Sequence, residues 1–375
     1  MQPRIVIAGA GVVGASIGAE LAEAGADVTV IDAGRPGRGT SSATFAWINA
    51  SADKEPTAYH ELNVAAMDAH RRLAQRTRPA TWYHPAANLQ WADAADDLER
   101  LTKKVERRRE LDYPVEWVSR RRLADLEPDL DPGDVADDRI ARFPEEGWID
   151  TPVLVATQLQ RLRAVGGHLL TGTAVEALEV DAGVVTGVVA GADRLPVDVV
   201  LNCAGPEADR IATLAGVELP LRTSAGLIVT TGPAVTSLAS VVHAPRLHLR
   251  PEGGGRLMLA SAAADAGVQA GYTVARDVVA ELLADAARLL PAAGDLDAED
   301  VRVGVRPLPP DGLPMLGPTG GVDNLYHVVT HSGVLLSVRL GELVTRHLLS
   351  GEEPPDFGLY RIDDPARFAP SPTAT

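Results

Sequence analysis

At 375 residues the chain is longer than one hydrophobic core usually serves, and 46% apolar with 23% charged residues excludes a wholly disordered or fibrous protein. Its 35 Lys and Arg against 51 Asp and Glu give a formal charge of −16, which repels phosphate backbones and anionic lipid and argues against a nucleic-acid partner. A single cysteine, Cys203, cannot make an internal disulfide or a thiolate metal site, so a reducing, cytoplasmic setting is expected.

The first element is Ile5-Val6-Ile7-Ala8, a β-branched run without polar alternation, as in a parallel strand covered on both faces. Small and apolar residues at helical spacing follow from Val12 to Ala24, Gly25 supplies a stop, and Val28-Thr29-Val30-Ile31 is a second strand. This βαβ unit begins a doubly wound α/β sheet. Residues 57–76 read as a helix, 81–91 as strands and 93–111 as a charged amphipathic helix, with 114–143 loop-rich. A helix capped by Asp150-Thr151-Pro152 spans 151–165, followed by strands at 174–180, 184–190 and 197–202. Sheet strands at 221–231 and 246–260, a helix at 277–290 and a final α/β stretch at 301–351 complete the pattern, with 363–375 expected to be a disordered tail. The uncharged stretches 5–19 and 223–245 are interrupted by glycine, and the second also by Pro233, so no integral membrane segment is expected.

Gly9-Ala10-Gly11-Val12-Val13-Gly14 places GxGxxG between a strand and a helix, and Asp32 ends the next strand. That order suits a dinucleotide: Gly9 permits the turn, Gly11 admits pyrophosphate to the backbone, Gly14 packs helix on strand and Asp32 accepts from ribose. Gly14-Ala15-Ser16-Ile17-Gly18 also matches a nucleophile-elbow pattern, but Ser16 falls inside the helix rather than on the turn. Histidine spacing suggests no metal site.

The segment 37–49, with Thr40, Ser41, Ser42, Trp47 and Asn49, resembles the second flavin-contacting stretch of the FAD-dependent D-amino acid oxidase family, which includes glycine and sarcosine oxidases. The similarity continues through Glu146-Gly147-Trp148-Ile149-Asp150, Val175, Asn202-Cys203-Ala204-Gly205, Arg306-Pro307-Leu308-Pro309-Pro310-Asp311-Gly312-Leu313-Pro314-Met315-Leu316-Gly317 and Thr330-His331-Ser332-Gly333-Val334. Thr330 and Ala46 depart from glycines common in the family.

The resemblance implies a discontinuous FAD-binding domain (1–80, 146–216, 303–362) and an inserted α+β substrate domain on a mostly antiparallel sheet (81–145, 217–302). It implies non-covalent FAD at Gly9, Gly11, Gly14, Asp32, Thr40, Ser41, Ser42, Trp47, Val175, Gly205, Ser332, Gly333 and Val334. Ser332 and Gly333 would open a helix whose amino end stabilises negative charge on reduced flavin. The implied reaction is hydride transfer from a small amino acid or N-substituted amine to flavin N5, with O2 or a quinone-type electron acceptor. Oxidation of a 2-hydroxy acid, or a non-catalytic role as an FAD-bound assembly partner, stays open. Arg306 is the expected carboxylate anchor and Arg250 its alternate. His331 is read either as a charge-tuning group or as a structural histidine; Tyr59 and His60 read as packing residues, and Cys203 as a small buried apolar residue rather than a flavin anchor.

Overall fold

The computed structural model describes residues 2–52, 55–364 and 367–368. Lys54 lies outside the described residues, as does most of the 363–375 segment.

The β-branched runs form a six-stranded sheet in which Arg4–Ala8 lies between Asp27–Asp32 and Val199–Asn202, all parallel. His168–Thr171 extends the Asp27–Asp32 side, Val322–Val329 the other, and Met315–Thr319 adds an antiparallel edge. Helices Val12–Glu23, Thr151–Ala164 and Gly333–Ser350 share a core with this sheet that includes Ile5, Ile7, Ile17, Leu159, Leu336 and Val344. A three-stranded antiparallel sheet, Val175–Asp181, Val184–Ala190 and Asp193–Pro196, contributes to the core on Val6, Ala8 and Val200.

The second large layer is an eight-stranded sheet, antiparallel except where Val241–His243 runs parallel to Asn88–Trp91. Its hydrophobic face, with Leu89, Trp91, Leu227, Leu249 and Leu259, packs on Leu282 and Ala286 of helix Arg276–Leu289. Two sequence readings change here. Residues 114–143 are less irregular than expected, because Glu116–Val118 and Ile140–Phe143 pair within this sheet and Arg120–Leu126 is helical with Ser119 as its cap. The strand Ala298–Leu308 pairs along its length with Arg222–Thr231, so residues 303–308, read from sequence with the dinucleotide-binding part, hydrogen-bond into the antiparallel sheet. Proline 307 is accommodated within that strand, opposite Thr223.

The two layers meet around residues 40–48. Thr40 Oγ1 donates to the Val305 carbonyl, Arg302 Nη1 donates to the Ser42 carbonyl at 2.9 Å, and Gly304 lies so close beneath Ala43 that a Cβ there would fall 2.2 Å from its carbonyl oxygen. Trp47–Ile48 then joins Gly147–Ile149 and Tyr83–Pro85 in a small antiparallel sheet.

Buried His70, on helix Thr57–Arg76, ties that helix to the start of Gly333–Ser350 by placing Nε2 3.0 Å from both the Val334 and Leu335 carbonyls. Its Nδ1 meets no acceptor, and burial lowers its pKa to about 4, so the folded state keeps it neutral. The unfolded chain binds this proton near pH 6.5, hence His70 stabilises the fold fully above that pH and the contribution is lost as pH falls toward 4. His70→Gln should remove up to about 1.4 kcal/mol per pH unit from the pH dependence of denaturant unfolding across that window. An unchanged slope would show that His70 is not the group being titrated.

Candidate active site

The carboxyl ends of the parallel strands open into a cavity of about 610 Å³, where open α/β sheets hold ligands. Its floor follows from the glycine pattern. Gly9 adopts φ +105°, and a Cβ on it would fall 2.5 Å from the Cys203 carbonyl oxygen; a Cβ on Gly14 would fall 2.0 Å from the Gly9 oxygen. Gly14 is therefore a packing position and not part of the lining, whereas Gly9 and Gly11 line the cavity. The helix Val12–Glu23 begins at Gly11 with no side-chain cap of its own; Ser41 Oγ accepts the Val12 N–H at 3.0 Å from the neighbouring loop. Asp32 shapes the same turn, its carboxylate accepting the Ala10 and Gly34 N–H groups at 2.8 Å each. A carboxylate has lone pairs left for ribose hydroxyls after those two bonds.

Thr40, Ser41, Trp47, Val175 and Gly205 also line this cavity. Ser42 does not: its hydroxyl donates back to the Arg38 and Gly39 carbonyls, and the residue borders a separate cavity of about 220 Å³. Ser332, Gly333 and Val334 bring a second helix N-terminus to the large cavity. Thr330 Oγ1 accepts the Ser332 N–H at 3.2 Å and Tyr59 donates its hydroxyl to Ser332 Oγ at 3.1 Å, so Tyr59, read from sequence as packing, also braces this helix start. Exposed His331 lies at the rim of the lining.

Arg306 lines the cavity from its strand, crossing Gly226 so closely that a Cβ there would meet the guanidinium at 1.9 Å. Its Nη1 pairs with Asp265 Oδ2 at 2.8 Å, while Asp265 Oδ1 accepts the Leu227 N–H. Arg250 is elsewhere. Its buried guanidinium packs on the Trp148 ring at 4.1 Å, donates to the Phe45 and Pro251 carbonyls and pairs with Glu252 at 2.5 Å, all beside the smaller cavity. The reading of Arg250 as an alternate substrate anchor is therefore not matched by its position. Arg256 and Arg302 there are likewise paired, with Glu299 and Asp300.

The structure adds lining residues that no sequence motif singled out. Arg210 donates to the Val175 carbonyl at 3.2 Å and lies 3.7 Å from Glu207, grouping a cation and a carboxylate beside Gly205. Phe45, His243 and His248 form a ring cluster with Trp47; the Trp47 and His243 centroids are 4.0 Å apart and those of the two histidines 4.4 Å. Desolvation is the main reason both histidines have lowered pKa values, about 4 for His248. Trp47 is fixed by donating its indole N–H to fully buried Glu146 at 2.8 Å. Ser16 is buried inside its helix and accepts from Gln158 Nε2 at 3.1 Å, a structural role. Cys203 contributes its backbone to the Gly9 turn, and burial pushes its thiol well up, which disfavours thiolate.

Residues 4–347 match the family described as FAD dependent oxidoreductase. The chain belongs to this family. Similar proteins include a glycine oxidase of Pseudomonas aeruginosa, 27% identical with 99% of each chain covered, and a hydrogen cyanide synthase subunit of the same organism, 25% identical with 99% of this chain and 97% of the relative covered. The glycine oxidase structure from Geobacillus kaustophilus shares the fold at a TM-score of 0.85 and 23% identity, covering 97% of this chain and 99% of that one. As an FAD dependent oxidoreductase the chain is an enzyme with FAD as its cofactor, and the helix start at Gly11 and the Cβ-free turn fit the pyrophosphate such a cofactor carries. Among the described residues no helix is long and apolar enough to cross a membrane.

Asp32→Ala should weaken FAD binding by about 2–3 kcal/mol, because it removes an ionised acceptor and two bonds that shape the turn. Titration of apoprotein with FAD, followed by flavin fluorescence, measures this; an unchanged Kd would remove Asp32 from the site.

Proposed function

We propose that the enzyme oxidises the C–N bond of a small amino acid or N-substituted amino acid. The observation that carries this reading is Arg306, a guanidinium on the wall of the same cavity as the glycine turn and both helix N-termini. A carboxylate substrate of an enzyme with charge −16 needs a fixed local cation, and the planar fork can engage both oxygens. Asp265 holds one arm of that fork and so limits its rotation. Gly9, Gly11, Asp32, Thr40, Ser41, Val175 and Gly205 would hold the cofactor together with the start of helix Gly333–Ser350. When bound, FAD supplies the two-electron acceptor for hydride leaving the substrate α-carbon.

The protein's own contribution is binding, orientation and exclusion of water. Phe45, Trp47 and the two neutral histidines surround substrate with rings that carry no formal charge. The carboxylates of the lining, Asp32 and Glu207, are engaged at the glycine turn and near Arg210. The amine can then react as the neutral form without a dedicated carboxylate base. The glycine oxidase relatives support a small amino acid as the substrate class.

Anaerobic mixing with D-, L- and N-methyl amino acids and with 2-hydroxy acids tests the reading: amino acids should bleach the flavin absorbance, and bleaching by hydroxy acids alone would replace it. Arg306→Met should lower the reductive rate over KM for the active carboxylate by about 30-fold to several thousand-fold while FAD stays bound, the cost of losing the charge partner of a carboxylate that binding removes from water. Full activity of the mutant would place the anchor elsewhere. For the acceptor we infer slow turnover with O2 unless an arginine, His331 or Lys54 substitutes for the missing lysine: no lysine occurs after Lys104, and among the described residues the lining arginines, Arg210 and Arg306, each lie beside a carboxylate, Glu207 and Asp265. Superoxide is favoured beside a positive charge, so reoxidation should be slower with O2 than with a quinone or dye. Stopped-flow reoxidation in air-saturated buffer as fast as flavin reduction would overturn this.

A further inference from the structure

His243 lines the large cavity with one ring nitrogen held by a defined partner. It ends the strand Val241–His243, and its Nδ1 lies 2.8 Å from Asn88 Oδ1 on the neighbouring strand. The amide of Asn88 has a defined direction because its Nδ2 faces acceptors, Ser51 Oγ at 3.5 Å and the Glu146 carboxylate. Glu146 is fully buried and already accepts the Ser51 N–H at 3.0 Å, the Tyr113 hydroxyl at 2.9 Å and the Trp47 indole N–H at 2.8 Å. Burial raises its pKa on balance, and the hydrogen bonds from Ser51, Tyr113, Trp47 and Asn88 offset part of that rise.

Both Glu146 oxygens face N–H groups that can only donate, and so accept there; this arrangement keeps the amide nitrogen of Asn88 on the carboxyl side and turns the amide oxygen to His243. That oxygen only accepts, which puts the imidazole proton on Nδ1 and leaves Nε2 with a bare lone pair. The groups facing His243 are Asn88, the Trp47 and Phe45 rings and His248, with Lys104 acting at longer range; desolvation first, then His248 and Lys104, disfavours a second proton. Among the described residues, no group bonds Nε2.

We infer that His243 is a specificity-determining residue that offers the Nε2 lone pair of its Nδ1–H tautomer to a substrate N–H, with Asn88 and Glu146 as positioning residues that set the tautomer. This assignment rests on the proposed amine substrate. Ligands that bring a carboxylate but no donor would use Arg306 and gain nothing from His243.

The test uses FAD-loaded enzyme with 15N-labelled histidine. Imidazole 15N shifts, assigned by the signal lost in His243→Gln, should report the Nδ1–H tautomer from pH 6 to 8 in the wild type and a shift toward Nε2–H in Asn88→Leu. Flavin absorbance titrations with glycine, sarcosine and D-alanine, against acetate and propionate, provide the ligand arm. His243→Phe should raise Kd for the amines about 5- to 150-fold, the loss of one hydrogen bond to a buried group, and leave acetate and propionate within about twofold. Asn88→Leu should raise KM more than it lowers kcat. An Nε2–H tautomer in the wild type, or equal weakening of amines and deaminated acids, overturns the inference. Wild-type enzyme that binds and oxidises amines while His243→Phe does so equally well overturns the inference alone; wild-type enzyme that responds to none of the amines overturns the substrate reading with it.

Discussion

A carboxylate shut away from water must be met by donors, and Glu146 meets that requirement from several segments at once. Trp47 and Ser51 flank the loop after the flavin-side strand, Asn88 opens a strand of the eight-stranded sheet and Tyr113 follows a surface helix. Leaving any of these buried partners unpaired costs the full desolvation of that group. One buried carboxyl group therefore ties these segments together, and the ring wall of the cavity is the surface they present. Removing water from the substrate side and fixing its geometry are the same structural act.

On the opposite side the cavity relies on backbone rather than side chains. Two helices begin there, and the unsatisfied amides of their first turns supply partial positive charge without any lysine. Arg306 and Arg210 add full charges at separate places, each beside a carboxylate that moderates it. An acidic exterior thus encloses an interior suited to anions, which separates what the protein repels in solution from what it accepts inside.

The glycine turn was readable because all of its determinants are local: strand, three glycines and a terminal aspartate lie within 32 residues, and each forbids a side chain or supplies an acceptor for a stated reason. Arg306 could be singled out from its motif, but its neighbours misled. Prolines 307, 309, 310 and 314 suggest an irregular stiff segment, whereas pairing with Arg222–Thr231 keeps residues through Leu308 extended. Arg250 was the alternate by sequence; both arginines pair with a carboxylate, and what separates them is that Arg250 is buried against Trp148 beside the smaller cavity while Arg306 lines the large one. Phe45 lies inside the family-like segment 37–49, but His243 and His248 carried no signal because they meet it across about 200 residues of sequence, in a wall created by strand order. Glu146 was visible as part of a family-like block, yet nothing in the order of residues says that a charge there is buried.

The central strand of the dinucleotide sheet has a consequence for how the protein is made. Arg4–Ala8 is synthesised well before its neighbour on one side, Val199–Asn202, and the helix Gly333–Ser350, packed on Val12–Glu23, follows later still. At ordinary translation speeds of roughly 5–20 residues per second, that first strand waits on the order of tens of seconds with an apolar edge uncovered. Such an edge is a template for pairing with other chains until the late segments arrive. Recombinant yield should consequently depend on chaperone supply and growth temperature more than the stability of the finished enzyme suggests.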